Sequence, residues 1–124
     1  MPDSVVKIGI MSREDYKHRT IAIAKGEYVP HSDEPKIWFE SLQSMAQVLN
    51  SDNQNLLQVI MEEHPQSLKE LEQLTGRSVS NLSRTLKTMA LFGIVELEKN
   101  QRRIVPRVKA SDFRVEFGIK RQTH

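Results

Sequence analysis

The sequence predicts a mainly α-helical fold with a small β component, α+β in class, and three features of its pattern carry that expectation. Apolar residues recur at helical spacing in five stretches between Arg13 and Met89. A run of β-branched and aliphatic residues then extends from Ile94 to Lys109, interrupted by a polar, basic stretch. Finally, Phe113 to Ile119 alternates with period two. At 124 residues the chain makes one domain with a modest core, which dimerisation would enlarge.

The N-terminal part divides into short pieces. Val5 to Met11 is apolar and reads as either a strand or an unstructured arm. Ser12 suits the N-cap of a helix over Arg13 to Lys25, with Tyr16, Thr20, Ile23 and Ala24 on one face and Gly26 beyond its end. Tyr28 to Pro35 carries two prolines and no periodicity, so it reads as a linker that lets the helix reach another subunit. Residues 1–35 are therefore expected to be a dimerisation or partner arm, residues 36–119 the main domain, and 120–124 a tail. Around Ile37, Trp38 and Phe39 a short strand is expected, its aromatics in a core or dimer interface. Leu42, Met45, Ala46 and Leu49 form a helical stripe, which Asn50-Ser51-Asp52-Asn53 breaks with residues that prefer caps and turns. Leu56, Leu57, Ile60 and Met61 make the stripe of a scaffold helix ending near His64-Pro65.

The stretch from Ser67 to Arg107 is the most informative. Ser67 with Glu70 three residues on is a capping box, Leu68, Leu71 and Leu74 form the buried stripe, and Gly76 suits a left-handed C′ position. Ser78 can cap the next helix, in which Val79, Leu82, Leu86 and Met89 fall on one face. The opposite face is Ser80, Arg84, Lys87 and Thr88, flanked by Arg77 and Asn81, with no acid between Arg77 and Val95. Phe92-Gly93 ends the helix, Ile94 to Glu98 reads as a strand, and Lys99-Asn100-Gln101-Arg102-Arg103 as a basic hairpin tip. Ile104 to Lys109 returns, with Pro106 tolerable only at an edge or a bulge. Two helices joined by a tight turn and followed by such a hairpin give the outline of a winged helix-turn-helix. For the alternating segment, in which Phe113, Val115, Phe117 and Ile119 interleave with Arg114, Glu116, Gly118 and Lys120, pairing with the hairpin and pairing with the Ile37-Trp38-Phe39 strand of either subunit are both open.

The overall charge of +2 hides a strong asymmetry. Residues 1–76 hold seven Lys and Arg against twelve Asp and Glu, whereas residues 77–109 hold eight against Glu96 and Glu98 alone. A chain polarised in this way is suited to meet a polyanion with one face and solvent or a protein partner with the other.

Gly76-Arg77, the run Asn81 to Met89 and the run Gly93 to Leu97 resemble the recognition helix and wing of MarR/ArsR-type bacterial and archaeal regulators. They are most similar to a group of small predicted regulators in which a strand like Lys36 to Ser41 precedes the first helix, so the resemblance covers roughly residues 36–119. It implies a homodimer that binds double-stranded DNA. Some members of the group sit beside a toxin gene and are taken to act as antitoxins, which implies a toxin as protein partner. The absence of cysteine departs from the thiol-based sensing common among MarR- and ArsR-like proteins.

The expected function is that of a sequence-specific transcriptional regulator, autoregulating its own operon, with the Val79 to Leu91 helix in the major groove. Arg84 is the first candidate for base or phosphate contact. Ser78, Ser80 and Ser83, with backbone amides at the helix start, would grip phosphates. Asn81 and Lys87 would read or flank bases, with Arg77 and Thr88 beside them. Arg102 and Arg103 would enter the adjoining minor groove or track its phosphates, with Lys99, Asn100 and Gln101 of the tip as further DNA-binding candidates. A two-fold dimer would take half-sites about 34 Å apart or a multiple of that. The rival expectation is a protein-interaction module, such as an antitoxin, whose acidic N-terminal part binds the partner. RNA binding fits less well, because no aromatics interleave the basic face.

Enzyme chemistry is not expected. His18, His31, His64 and His124 are scattered without the i, i+4 spacing of a helical metal pair, and adjacent Glu62 and Glu63 diverge on a helix. No glycine-rich phosphate loop occurs, and no cofactor or metal is implied. There is no apolar run long enough for a bilayer and no signal-peptide pattern, so a cytosolic location is expected.

Overall fold

The computed structural model describes residues 5–119, which leaves the expected tail at 120–124, including Lys120, outside the described residues. Five helices and five strands alternate unevenly along the described chain, and the class is mixed α+β. The first strand, β1 (Val5–Ile10), is followed by α1 (Arg13–Ala24), β2 (Ile37–Phe39), α2 (Leu42–Val48) and α3 (Ser51–Glu63). Then come α4 (Leu68–Thr75), α5 (Val79–Phe92), the hairpin β3 (Val95–Asn100) and β4 (Arg103–Val108), and β5 (Asp112–Glu116).

Val5 to Met11, left open between strand and arm, forms the central strand of a sheet ordered β2-β1-β5. Both pairings are parallel, with Ile8 opposite Ile37 on one side and Val5 to Gly9 opposite Asp112 to Glu116 on the other. Parallel neighbours cannot be joined by a tight turn, and α1 with its following loop supplies the long crossover between β1 and β2. The partner of β5 is thus neither the hairpin nor the Ile37-Trp38-Phe39 strand but β1. Alternation reports which face of a strand is buried, and it carries no information about which edge the strand meets. The sheet also crosses the boundary expected at residue 35, because β1 lies between strands from the far side of it.

One sheet face carries Ile8, Ile37 and Phe39, all buried against the helices. Phe39 stacks on Phe92 at 4.3 Å between ring centroids, which ties the sheet to the end of α5. The core continues through Leu56, Leu57 and Ile60 of α3, Leu71 of α4, Leu82, Leu86 and Met89 of α5, and Ile94 and Val95. Three expected stripe residues of α2 and α4 are not covered: Leu42 and Ala46 of α2, and Leu74 in the last turn of the short α4, are exposed. Helical spacing assigns a side, but a helix of two turns cannot cover the whole of it.

On the other sheet face Gly9 lies beneath Trp38, whose ring would stand 2.3 Å from a Cβ at that position. Helix α1 starts at Ser12, whose hydroxyl accepts from the Asp15 amide, and it buries none of its residues. It is held by long side chains instead. Arg19 lies 5.1 Å over the Trp38 ring, and Tyr16 packs on the same ring at 6.5 Å. Arg19 Nη2 also donates to Glu34 Oε1 at 2.7 Å, while the Tyr28 hydroxyl and the His31 amide donate to Glu34 Oε2. The Arg19 guanidinium holds the Glu34 carboxyl below its ordinary value. The segment expected to be a free linker is therefore folded back onto its own helix.

Candidate nucleic-acid interface

The turn between α4 and α5 is built from local chemistry. Ser67 caps α4, its Oγ accepting from the Glu70 amide at 3.0 Å. The reciprocal half of the expected capping box is displaced, since Glu70 Oε2 accepts from the Gln66 amide rather than from that of Ser67. Gly76 ends α4 with φ +79°, a left-handed geometry that side chains resist. Ser78 then caps α5, accepting from the Asn81 amide at 3.1 Å. At the other end Gly93 is left-handed, and the Ile94 amide donates back to the Met89 carbonyl, the Schellman arrangement that releases the chain into β3.

Arg77 sits inside this turn and is fully engaged. Its Nε donates to Asn81 Oδ1 at 2.8 Å, Nη1 to Asn53 Oδ1 at 3.1 Å, and Nη2 to Thr85 Oγ1 at 3.1 Å. Asn53 is itself buried at the start of α3, its amide group donating to the Val48 carbonyl. Arg77 and Asn81, expected at the DNA-facing rim, are thus the lock between the α4–α5 turn and α3. Sequence reasoning missed Asn53 and Thr85 as parts of this lock. The i, i+4, i+8 spacing of Arg77, Asn81 and Thr85 was the available signal for half of it. The lock lines an open groove of about 890 Å³ that runs between the α3 start, with Asn50 and Asp52, and the α4–α5 turn.

The outward face of α5 is as the spacing predicts: Ser80, Arg84, Lys87 and Thr88 are exposed. Ser83 and Thr85 are half-buried at its margins. Leu91, one turn after Lys87, is also exposed, at 86 %. Two hydroxyls are already occupied, because Ser78 Oγ caps the helix and Thr88 Oγ1 donates to the Arg84 carbonyl. Glu72 was absent from the expected site because it precedes Arg77. Its Oε2 accepts from the Val79 amide at 3.2 Å and takes up one donor at the positive end of α5.

The hairpin tip is tighter than expected. Asn100 pairs with Arg103, so Lys99, Asn100 and Arg103 belong to the strands, and Gln101-Arg102 forms a two-residue turn. Gln101 takes φ +60°, at the position where such turns favour glycine. Pro106 pairs opposite Leu97 and is buried. Arg107 forms an ion pair with Glu98 and neutralises one of the two hairpin acids. Among the described residues Arg84, Lys87, Lys99, Arg102 and Arg103 have no carboxylate partner. They leave five uncompensated cations on α5 and the hairpin.

Among the described residues no three His, Asp or Glu side chains converge as a metal site, and no helix is long and apolar enough to cross a membrane. No curated protein and no solved structure matches the chain. The sequence pattern of the HVO_A0114 family matches residues 48–115, which run from the end of α2 through the turn, α5 and the hairpin into β5. That match takes in more than half of the chain, and the protein belongs to the HVO_A0114 family.

Proposed function

We propose that this chain is a sequence-specific DNA-binding transcriptional regulator of the winged helix-turn-helix type, related to MarR/ArsR regulators and acting as a homodimer. In this assignment α4 and α5 are the helix-turn-helix, β3–β4 is the wing, and α5 enters the major groove. The observation that carries the reading is the exposed row Ser80, Arg84, Lys87 and Thr88 on a helix whose opposite side, Leu82, Leu86 and Met89, is fully buried. The core fixes the helix, and the fixed helix presents to solvent cations without a carboxylate partner among the described residues, beside hydroxyls. A rigid helix bearing guanidinium and ammonium groups next to a basic hairpin matches the chemistry of phosphates and guanine edges. Because Arg77 is engaged within the fold, its role in this reading is to hold the turn, and direct contacts fall to Arg84, Lys87 and the hairpin cations.

The test is a binding titration of purified protein against its own upstream DNA and an unrelated duplex of equal length, at two salt concentrations. The proposal expects the own-promoter duplex to bind about 10³-fold more tightly, with both affinities falling steeply as salt rises. Equal affinity for the two duplexes means nonspecific basic attraction and overturns sequence-specific regulation.

A second reading, a protein-interaction module of the antitoxin kind, is favoured by α1. That helix buries no residue and leaves Tyr16 and Ile21 exposed. Deleting residues 1–35 would remove β1 as well, so the informative variant is Ile21→Asp, which should abolish a partner complex while leaving DNA affinity intact.

A further inference from the structure

We infer that β5 is a self-association strand: two copies of the chain join edge to edge along β5, the pairing continuing through Phe117 and Gly118 just beyond it, in an antiparallel, two-fold arrangement centred on Val115. The inference takes the homodimer of the proposed function as its occupant but does not depend on DNA binding.

The first ground is the edge itself. In the order β2-β1-β5 the outer side of β5 has no strand beside it among the described residues, so a row of backbone donors and acceptors faces outward. Of the other edges, β2 has only three residues and β4 carries Pro106, features that discourage a neighbour. From β5 an apolar row runs on past its end into solvent: Val115 on the strand and Phe117 and Ile119 after it are 40, 58 and 99 % exposed, following half-buried Phe113 at period two.

The second ground is charge complementarity under two-fold symmetry, in which residue i meets j and j meets i. Centred on Val115, the pairing sets Arg114 opposite Glu116 of the partner subunit, and Glu116 opposite Arg114 of the partner subunit. On the alternate face it sets Phe113 opposite Phe117 of the partner subunit, again twice. Moving the centre to Arg114 would oppose that arginine to its own copy and Asp112 to Glu116, so the charges disfavour that register; moving it to Phe113 would set Asp112 opposite Arg114 but Val115 opposite Ser111 and Phe117 opposite Lys109, so the apolar contacts favour Val115. Within one protomer Arg114 lies directly opposite Lys7 of β1, a like charge, and Glu116 stands 3.8 Å from that lysine. Arg114 forms no ion pair among the described residues, and the carboxylate it lacks is the one the second copy delivers.

Sedimentation equilibrium on the full chain tests this with Arg114→Glu, Glu116→Arg and the double swap. Each single variant should weaken dimerisation by about tenfold or more, because both symmetry-related pairs turn repulsive together, and the double swap should restore it. Circular dichroism of each variant confirms that the fold is retained. Single variants that dimerise like the parent overturn the inference, as does a folded double variant that stays monomeric. A monomeric parent protein also overturns it. DNA affinity is read on separate samples, so a monomer that binds its operator specifically refutes the β5 dimer while leaving DNA recognition standing.

Discussion

Arg77 donates through Nη1 to Asn53 Oδ1 at 3.1 Å, and this bond fastens the α4–α5 turn to the first turn of α3. The acceptor is buried, so losing its donor leaves an unsatisfied oxygen away from water. Arg77→Ala should therefore lower unfolding free energy by roughly 1–3 kcal/mol, measurable by urea denaturation. Arg77→Lys should recover little, because an ammonium cannot hold three acceptors arranged around a planar fork. A parent-like denaturation midpoint for Arg77→Ala would show that the lock contributes nothing to stability.

Arg84 and Lys87 should behave in the opposite way. Both are exposed and have no ion-pair partner among the described residues, so Arg84→Ala should leave the melting temperature unchanged. Its effect should appear in DNA binding, with affinity reduced by about 10-fold or more. If the lost contact is to a phosphate, the slope of log K against log salt should fall by about 0.9. An unchanged affinity and slope would remove Arg84 from the interface.

Gly9 has no room for a side chain. A Cβ there would meet Trp38 Cζ3 at 2.3 Å, and Trp38 is itself packed against Arg19 and Tyr16. Gly9→Ala should destabilise by about 1–3 kcal/mol as the ring is pushed from its place. Trp38 is the one tryptophan of the sequence, so its emission reports directly; a red shift in the folded variant is the expected sign.

Gln101 holds a left-handed conformation at φ +60° in the hairpin turn, a geometry that L side chains adopt at a penalty of about 1–2 kcal/mol. Gln101→Gly removes that strain while adding freedom to the unfolded chain, and the balance should favour the variant by up to about 1 kcal/mol. Thermal denaturation checks the direction, and a lowered melting temperature would mean the Gln101 side chain stabilises the turn.

Glu34 adds a dependence on pH. Arg19 lowers the folded carboxyl from its ordinary 4.5, so the carboxylate stabilises the fold at neutral pH. That contribution should fade as pH falls below the ordinary value and through the depressed one, and it should be absent in Glu34→Gln. Comparing the two proteins from pH 7 downward, the stability gap should close only in acid. A gap that is constant with pH would separate the effect from ionisation.

Local features were legible in the residue pattern. Ser12, Ser67 and Ser78 each accept from the amide three residues on, and Gly76 and Gly93 end their helices in left-handed geometry, because caps depend on a side chain reaching its own neighbours. The side of α5 that faces the core, and hence the side bearing Arg84 and Lys87, was likewise legible, since a 3.6-residue period maps directly onto a helix. Contacts between distant segments were decided by the tertiary structure alone. That β5 would meet β1 in parallel, that Glu34 would fold its loop onto Arg19, and that Arg77 would turn inward to Asn53 depend on which edges and donors three-dimensional packing brings together. Periodicity fixes a direction for each side chain, and only the assembled core decides whether another group is waiting there.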